Sequence, residues 1–106
     1  MIPKRLKEAR LRAKLTQEKL GVLAGIEEAT AYSRLSHYEN GTHKPTFELV
    51  CEFARVLDVP ECYFYTVDDG FAEKILQLYM LYTQKGIIKK EPMMLYCTCN
   101  FFTMEL

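Results

Sequence analysis

Leu15-Thr16-Gln17-Glu18-Lys19-Leu20-Gly21-Val22-Leu23-Ala24-Gly25-Ile26, residues 15–26 of a 106-residue chain, is the stretch whose reading decides the fold. Thr16 ahead of Gln17-Glu18-Lys19 is an N-cap, because its hydroxyl can accept a hydrogen bond from a backbone N–H left free at a helix start. Leu20, Leu23 and Ala24 then supply a buried stripe, and Gly25 is placed to end the helix.

Upstream, Leu6, Ala9, Leu11, Ala13 and Leu15, with Pro3 suited to a first turn, predict a helix from Pro3 to Ala13. Downstream, Glu27 to Tyr38 contains neither Gly nor Pro and carries Ala29, Leu35 and Tyr38 as inward candidates. Asn40-Gly41 closes this third helix, since both residues tolerate the left-handed conformation of a helix end. Thr46 caps a fourth helix in which Phe47, Val50, Phe53, Ala54 and Leu57 recur at helical spacing. Pro60 starts a short fifth helix carrying Cys62, Tyr63 and Phe64. Asp69 is placed to cap a sixth, in which Phe71, Ala72, Ile75, Leu76, Leu78, Tyr79 and Tyr82 cover more than one face before Gly86. The expected fold is all-α, five to six short helices with tight links. Leu95, Cys97, Cys99 and Phe101 alternate with Tyr96, Thr98, Asn100 and Phe102, a period of two that predicts a short strand-like tail. The division expected is a domain over 1–66 and a C-terminal helix and tail over 67–106 that joins two copies.

Composition excludes several classes. Hydrophobic residues at 49% and charged residues at 26% belong to a folded globular chain. No apolar stretch approaches the roughly 18 residues that a membrane span needs. Charge enters at once in Met1-Ile2-Pro3-Lys4-Arg5-Leu6-Lys7-Glu8, before any signal-peptide core, so a cytoplasmic protein with reduced cysteines is expected. The net charge of zero conceals an asymmetry: residues 1–45 carry nine Lys and Arg against five Glu, and residues 46–84 carry two against seven Asp and Glu. The basic half is suited to phosphate.

Cys97-Thr98-Cys99 lacks the spacing and further ligands of a zinc site, and strand packing is the reading preferred for it. Neither a Gly-rich phosphate loop nor a nucleophile elbow nor a metalloprotease helix occurs. No catalytic residue, metal or cofactor is therefore expected, and the chain is read as a binding protein and not an enzyme.

Two short helices joined by a tight turn satisfy the physical requirement of a helix-turn-helix, one helix lying across the DNA backbone while the next enters the major groove. Arg10 to Arg12, Leu15 to Leu20, Tyr38-Glu39-Asn40-Gly41, Lys44-Pro45 and Val56-Leu57-Asp58-Val59-Pro60 together resemble the lambda-repressor and Cro family of XRE-type regulators, over about residues 3–65. Between Gly25 and Glu39 the chain is about four residues longer than the usual member, which resembles a variant with the turn, or the front of the recognition helix, extended. The resemblance implies that Gln17 binds phosphate or a neighbouring base, and that Arg34, Ser33, Ser36 and His37 face the groove. Arg34 has the donor fork for a guanine edge. It also implies that Asn40, Thr42 and Lys44 clamp phosphate, and that Arg10 and Glu39 form a structural ion pair. Thr30 or Tyr32 is the further base-contact candidate should the extension displace the register. The function implied is a dimeric transcriptional regulator, a repressor occupying a double-stranded operator; activation is equally compatible. The alternative is the antitoxin of a toxin–antitoxin pair, with a toxin as protein partner.

Overall fold

The computed structural model describes residues 1–84. Five α-helices, α1 (Pro3–Arg12), α2 (Gln17–Leu23), α3 (Glu28–Glu39), α4 (Phe47–Leu57) and α5 (Asp69–Gln84), enclose the core with a 3₁₀ helix at Glu61–Tyr65. The described part is all-helical, as expected, and the short fifth element takes the 3₁₀ form. The strand expected at Leu95–Phe102 lies outside the described residues.

Local chemistry sets most helix boundaries. The Thr16 and Thr46 hydroxyls accept hydrogen bonds from the Lys19 and Leu49 backbone N–H groups, both at 3.1 Å. α2 ends in a Schellman turn: Gly25 has φ +97°, and its N–H and that of Ile26 donate to the Val22 and Gly21 carbonyls. α1 and α4 end similarly without glycine, on Lys14 (φ 61°) and Asp58 (φ 59°). The cap of α5 is a correction. Asp68, not Asp69, accepts from the Phe71 N–H at 2.7 Å, and Asp69 instead pairs with Lys4 and Arg5. Either aspartate could cap; the cations of α1 claim the second.

Leu6, Leu20, Leu35, Val50, Phe53, Tyr63 and Phe64 are fully enclosed and come from every element except α5, which adds Ala72 and Leu76. Burying a side chain of Leu or Phe size contributes about 1.5–3 kcal/mol, so this set is the principal stabilising term. Two inward candidates are exposed, namely Leu23 and Ala29. α2 has only seven residues, so the side of Leu20 and Gly21 alone is covered, and Ala29 lies opposite the buried Ala31, Leu35 and Tyr38 of α3.

Gly21 brings α2 and α3 together. A Cβ built on it would lie 2.8 Å from the Ala31 Cβ and 3.0 Å from Leu35 Cδ2, closer than methyl contact permits. The small Gly21 and Ala31 surfaces thus set the spacing of the two helices. α3 begins at Glu28, so residues 28–32 of the segment between Gly25 and Glu39 are helical.

Candidate nucleic-acid interface

Ala31, Leu35 and Tyr38 form the buried row of α3. At 3.6 residues per turn, Ala29, Ser33, Ser36, His37 and Asn40 fall on the other side of the helix. Ser33 and Asn40 are exposed there, and Ser36 and His37 half-buried. Thr30 is exposed on the first turn, its hydroxyl donating to the Glu27 carbonyl at 3.3 Å. Arg34 sits on the flank. Its Nε and Nη2 donate to the Tyr38 hydroxyl at 3.2 and 2.6 Å, and its guanidinium lies 5.7 Å from that ring's centroid. The fork is therefore held along the helix one turn ahead, with Nη1 outside these two bonds.

The loop after α3 is organised from within. The Asn40 Oδ1 accepts from the Thr42 backbone N–H at 2.9 Å and from the Thr42 hydroxyl. The His43 N–H donates to the His37 carbonyl, and the two imidazoles meet edge to face at 4.6 Å between centroids. Lys44 is exposed, and no ion pair involves it among the described residues.

At the other end of the face, Gln17 Nε2 donates to Glu39 Oε1 at 3.0 Å. The same carboxylate receives Arg10 Nε at 2.6 Å and Nη2 at 3.2 Å, while Arg10 Nη1 donates to the Leu15 carbonyl at 2.8 Å. One buried carboxylate thus joins α1, the start of α2 and the end of α3. Arg10, Thr16, Gln17 and Glu18 line an open depression of about 450 Å³ with Tyr32, a residue 63% exposed.

The first-half charge tally overstates what is free for phosphate. Arg5 and Arg10 are buried, Lys4 faces Asp69 at 2.8 Å, and Arg12 faces Glu73 at 3.6 Å. Among the described residues no ion pair involves Lys7, Lys14, Lys19 or Lys44, and Arg34 lies on Tyr38. Part of the charge asymmetry is α1 meeting α5.

A helix-turn-helix family model matches residues 6–64, from within α1 through most of the 3₁₀ helix. The chain belongs to the helix-turn-helix family, of the XRE type. Among solved structures, the crystal structure of transcriptional regulator BswR superimposes with a TM-score of 0.72 at 32% identity, covering 100% of this chain and 95% of that one. No curated protein sequence matches. In this helix-turn-helix unit α2 and α3 are the pair of the motif, and the site residues expected from sequence lie on α3, the loop after it and the first turn of α2.

The family pattern carried no signal for Gly21 or Arg5. A glycine inside a helix, costing about 1 kcal/mol against alanine, was the available sign of a close approach at Gly21. Among the described residues no cluster of three or more His, Cys, Asp or Glu is placed to hold a metal, and no helix is long and apolar enough to cross a membrane. Cys97 and Cys99 lie outside the described residues. Burial, then Glu61, pushes the Cys62 thiol up, the opposite direction from an activated thiolate.

Proposed function

We propose that this protein is a sequence-specific DNA-binding transcriptional regulator that acts in the cytoplasm as a dimeric repressor, occupying an operator and excluding polymerase. The observation that carries the reading is the α2–α3 pair, closed at Gly21 and tied at Glu39, with a polar face of α3 turned outward. On this reading Ser33, Ser36 and His37, with Thr30 at the front and Arg34 on the flank, read base edges in the major groove. Gln17 at the start of α2 and Asn40, Thr42 and Lys44 after α3 hold phosphate, where exposed amides and a helix start favour an anion. The relative's description as a transcriptional regulator supports the same class.

Dimerisation follows from the arithmetic of recognition, because one short helix gives too little discrimination against a genome of competing sites. α5 offers the means. Ala72 and Leu76 bury one side, while Phe71, Leu78 and Tyr82 are exposed with Ile75 half-buried beside them. The 4-3-4 spacing of Phe71, Ile75, Leu78 and Tyr82 is that of a helix–helix seam. Residues 67–106 are accordingly assigned to assembly and 1–66 to DNA.

Selection of bound duplexes from a random DNA library tests the reading. The expected result is a pair of related half-sites whose centres lie about 10 base pairs, or a multiple of that, apart. Enrichment of no sequence over the starting pool overturns it.

A further inference from the structure

Arg5 is the most deeply buried charged residue of the described chain, at 2% exposure, and no DNA-facing element touches it. Its Nε donates to the Thr66 carbonyl at 3.1 Å and its Nη2 to the Val67 carbonyl at 3.0 Å. Nη2 also meets Asp69 Oδ1 at 2.9 Å, Nη1 lies 3.5 Å from Glu8 Oε1, and the guanidinium is 5.7 Å from the Tyr63 ring centroid. A buried cation is a poor device for stability alone, since apolar residues of similar volume serve as well or better. What a planar fork adds is direction, fixing several acceptors at once.

The acceptors identify what is fixed. Thr66, Val67 and Asp68 are the whole link between the 3₁₀ helix and α5, and Asp69 is the first residue of α5. Three linking residues carry six soft backbone dihedrals. Arg5 fastens both ends of that link to α1, and the Ile2 N–H adds a bond to the Phe64 carbonyl at 2.8 Å. Five residues further along the same α1, Arg10 holds Glu39 at the end of α3. A continuous series of short bonds therefore runs from the start of α5 through Arg5, α1 and Arg10 to α3.

We infer that Arg5 is the positioning residue that sets the half-site spacing two copies of this chain can read, by fixing the angle of α5 to the helix-turn-helix unit. This rests on the reading above that α5 joins the copies. The lever is long: sixteen residues of helix span about 24 Å, so a swing of about 10° at the joint displaces the far end by about 4 Å. That exceeds one base-pair step of about 3.4 Å. Asp69, whose carboxyl is held below its usual range by hydrogen bonds from Lys4 and Arg5, is charged in the joint throughout the neutral range.

The test uses the full chain, the operator recovered by selection, copies of it with one or two base pairs added or removed between half-sites, and a single half-site. Wild type is expected to lose about tenfold or more in affinity at altered spacing; Arg5→Lys, which cannot hold both carbonyls and the carboxylate, narrows this contrast to within about threefold. Single half-site binding changes by less than about twofold, because α2, α3 and their loop are untouched. Asp69→Asn, at an exposed side chain that leaves the Arg5 carbonyl bonds in place, guards against a folding defect and moves the contrast in the same direction. If both variants are dimeric and keep the wild-type spacing contrast, the inference falls alone. If they weaken every duplex alike, the single half-site included, Arg5 is merely structural and the inference also falls. A wild type that sediments as a monomer and selects a lone half-site overturns the dimer reading and this inference together.

Discussion

Arg10 grips Glu39 through both carboxylate oxygens, at 2.6 and 3.2 Å, with the two side chains only 11% and 5% exposed. Gln17 donates to the same carboxylate and the Leu15 carbonyl accepts from Arg10 Nη1, and no buried polar side-chain atom is left without a bond among the described residues. The pair orients three helices rather than simply adding stability, because desolvating two charges offsets most of their attraction.

Removing one partner is therefore far worse than removing both. Arg10→Met alone should cost about 3–5 kcal/mol by leaving the Glu39 charge buried, and Arg10→Met with Glu39→Leu should recover most of that loss. Urea unfolding of the two single variants and the double variant measures the coupling. Strict additivity would show that the pair is not energetically joined.

At Gly21 the sign of an ordinary rule reverses. Glycine to alanine inside a helix commonly stabilises by about 1 kcal/mol, whereas here the new methyl meets Ala31 at 2.8 Å. Gly21→Ala should destabilise by about 1–3 kcal/mol and weaken DNA binding through the altered α2–α3 spacing, and Ala31→Gly in the same chain should relieve the clash. Thermal melts of the cycle decide it; a Gly21→Ala protein melting above wild type would remove Gly21 from its assigned place.

The helix ends were legible because they are decided within a few residues: Thr16, Gly25 and Thr46 act on neighbouring backbone whatever the rest of the chain does. The core row of α4 from Val50 to Leu57 was legible for a similar reason, its eleven residues giving the period room to show, whereas Phe47 at its start is exposed. Leu23 was misread because a seven-residue helix cannot distinguish a covered face from a bare one. Which of Asp68 and Asp69 caps α5 depends on Lys4 and Arg5, more than sixty residues earlier. The same long-range pairing takes Lys4, Arg5, Arg10 and Arg12 out of the basic tally. The outward residues of α3 could be placed from Leu35 and Tyr38 by period alone, but the flank position of Arg34 and its bond to Tyr38 required the fold.

Holding and reading DNA should separate by residue. Lys44→Ala should weaken all sequences alike and lower the slope of log affinity against log salt by about one. Arg34→Ala should cost about 1–3 kcal/mol on the preferred site and relax preference at one base position. Tyr38→Phe removes the acceptor that holds the Arg34 fork, so it should alter preference at that same position without changing the salt slope. Unchanged specificity in Arg34→Ala transfers the base-reading role to Thr30 and Tyr32, measured by binding to single-substitution operators.

Acid and alkali should act through different contacts of α5, Asp69 with α1 and Tyr79 with Asp58. Lys4 and Arg5 lower the Asp69 carboxyl in the folded chain, so its stabilisation is present above the unfolded carboxylate range and is lost as pH falls through the lowered folded value. Asp69→Asn should flatten that acid limb. Tyr79 is pushed up to about 12 by burial and by Asp58, whose carboxylate accepts its hydroxyl at 3.3 Å. This stabilisation is present below the ordinary value of 10.0 and lost as pH rises towards about 12. Tyr79→Phe should remove that part of the alkaline loss, and equal melting curves of wild type and variant across both limbs would contradict these assignments.

Assembly through α5 has the sharpest single-residue test, since Leu78 is 52% exposed and lies in the middle of the Phe71-Ile75-Leu78-Tyr82 stripe, away from the Ala72 and Leu76 side. A charge placed there costs the folded single copy little, because the position is open to water, but it would be desolvated without a partner in a dimer. Leu78→Glu should therefore keep the wild-type circular dichroism spectrum, sediment as a monomer at micromolar concentration, and lose operator affinity far more than nonspecific affinity. Deleting residues 87–106 separates the two parts of the C-terminal element. If the tail carries assembly with α5, the truncated protein self-associates much more weakly; if α5 suffices, it remains dimeric and Leu78→Glu still dissociates it. A full-length wild type that is monomeric in the same measurement would overturn assembly through α5, and a Leu78→Glu variant that stays fully dimeric would place the contact between copies elsewhere than on this stripe.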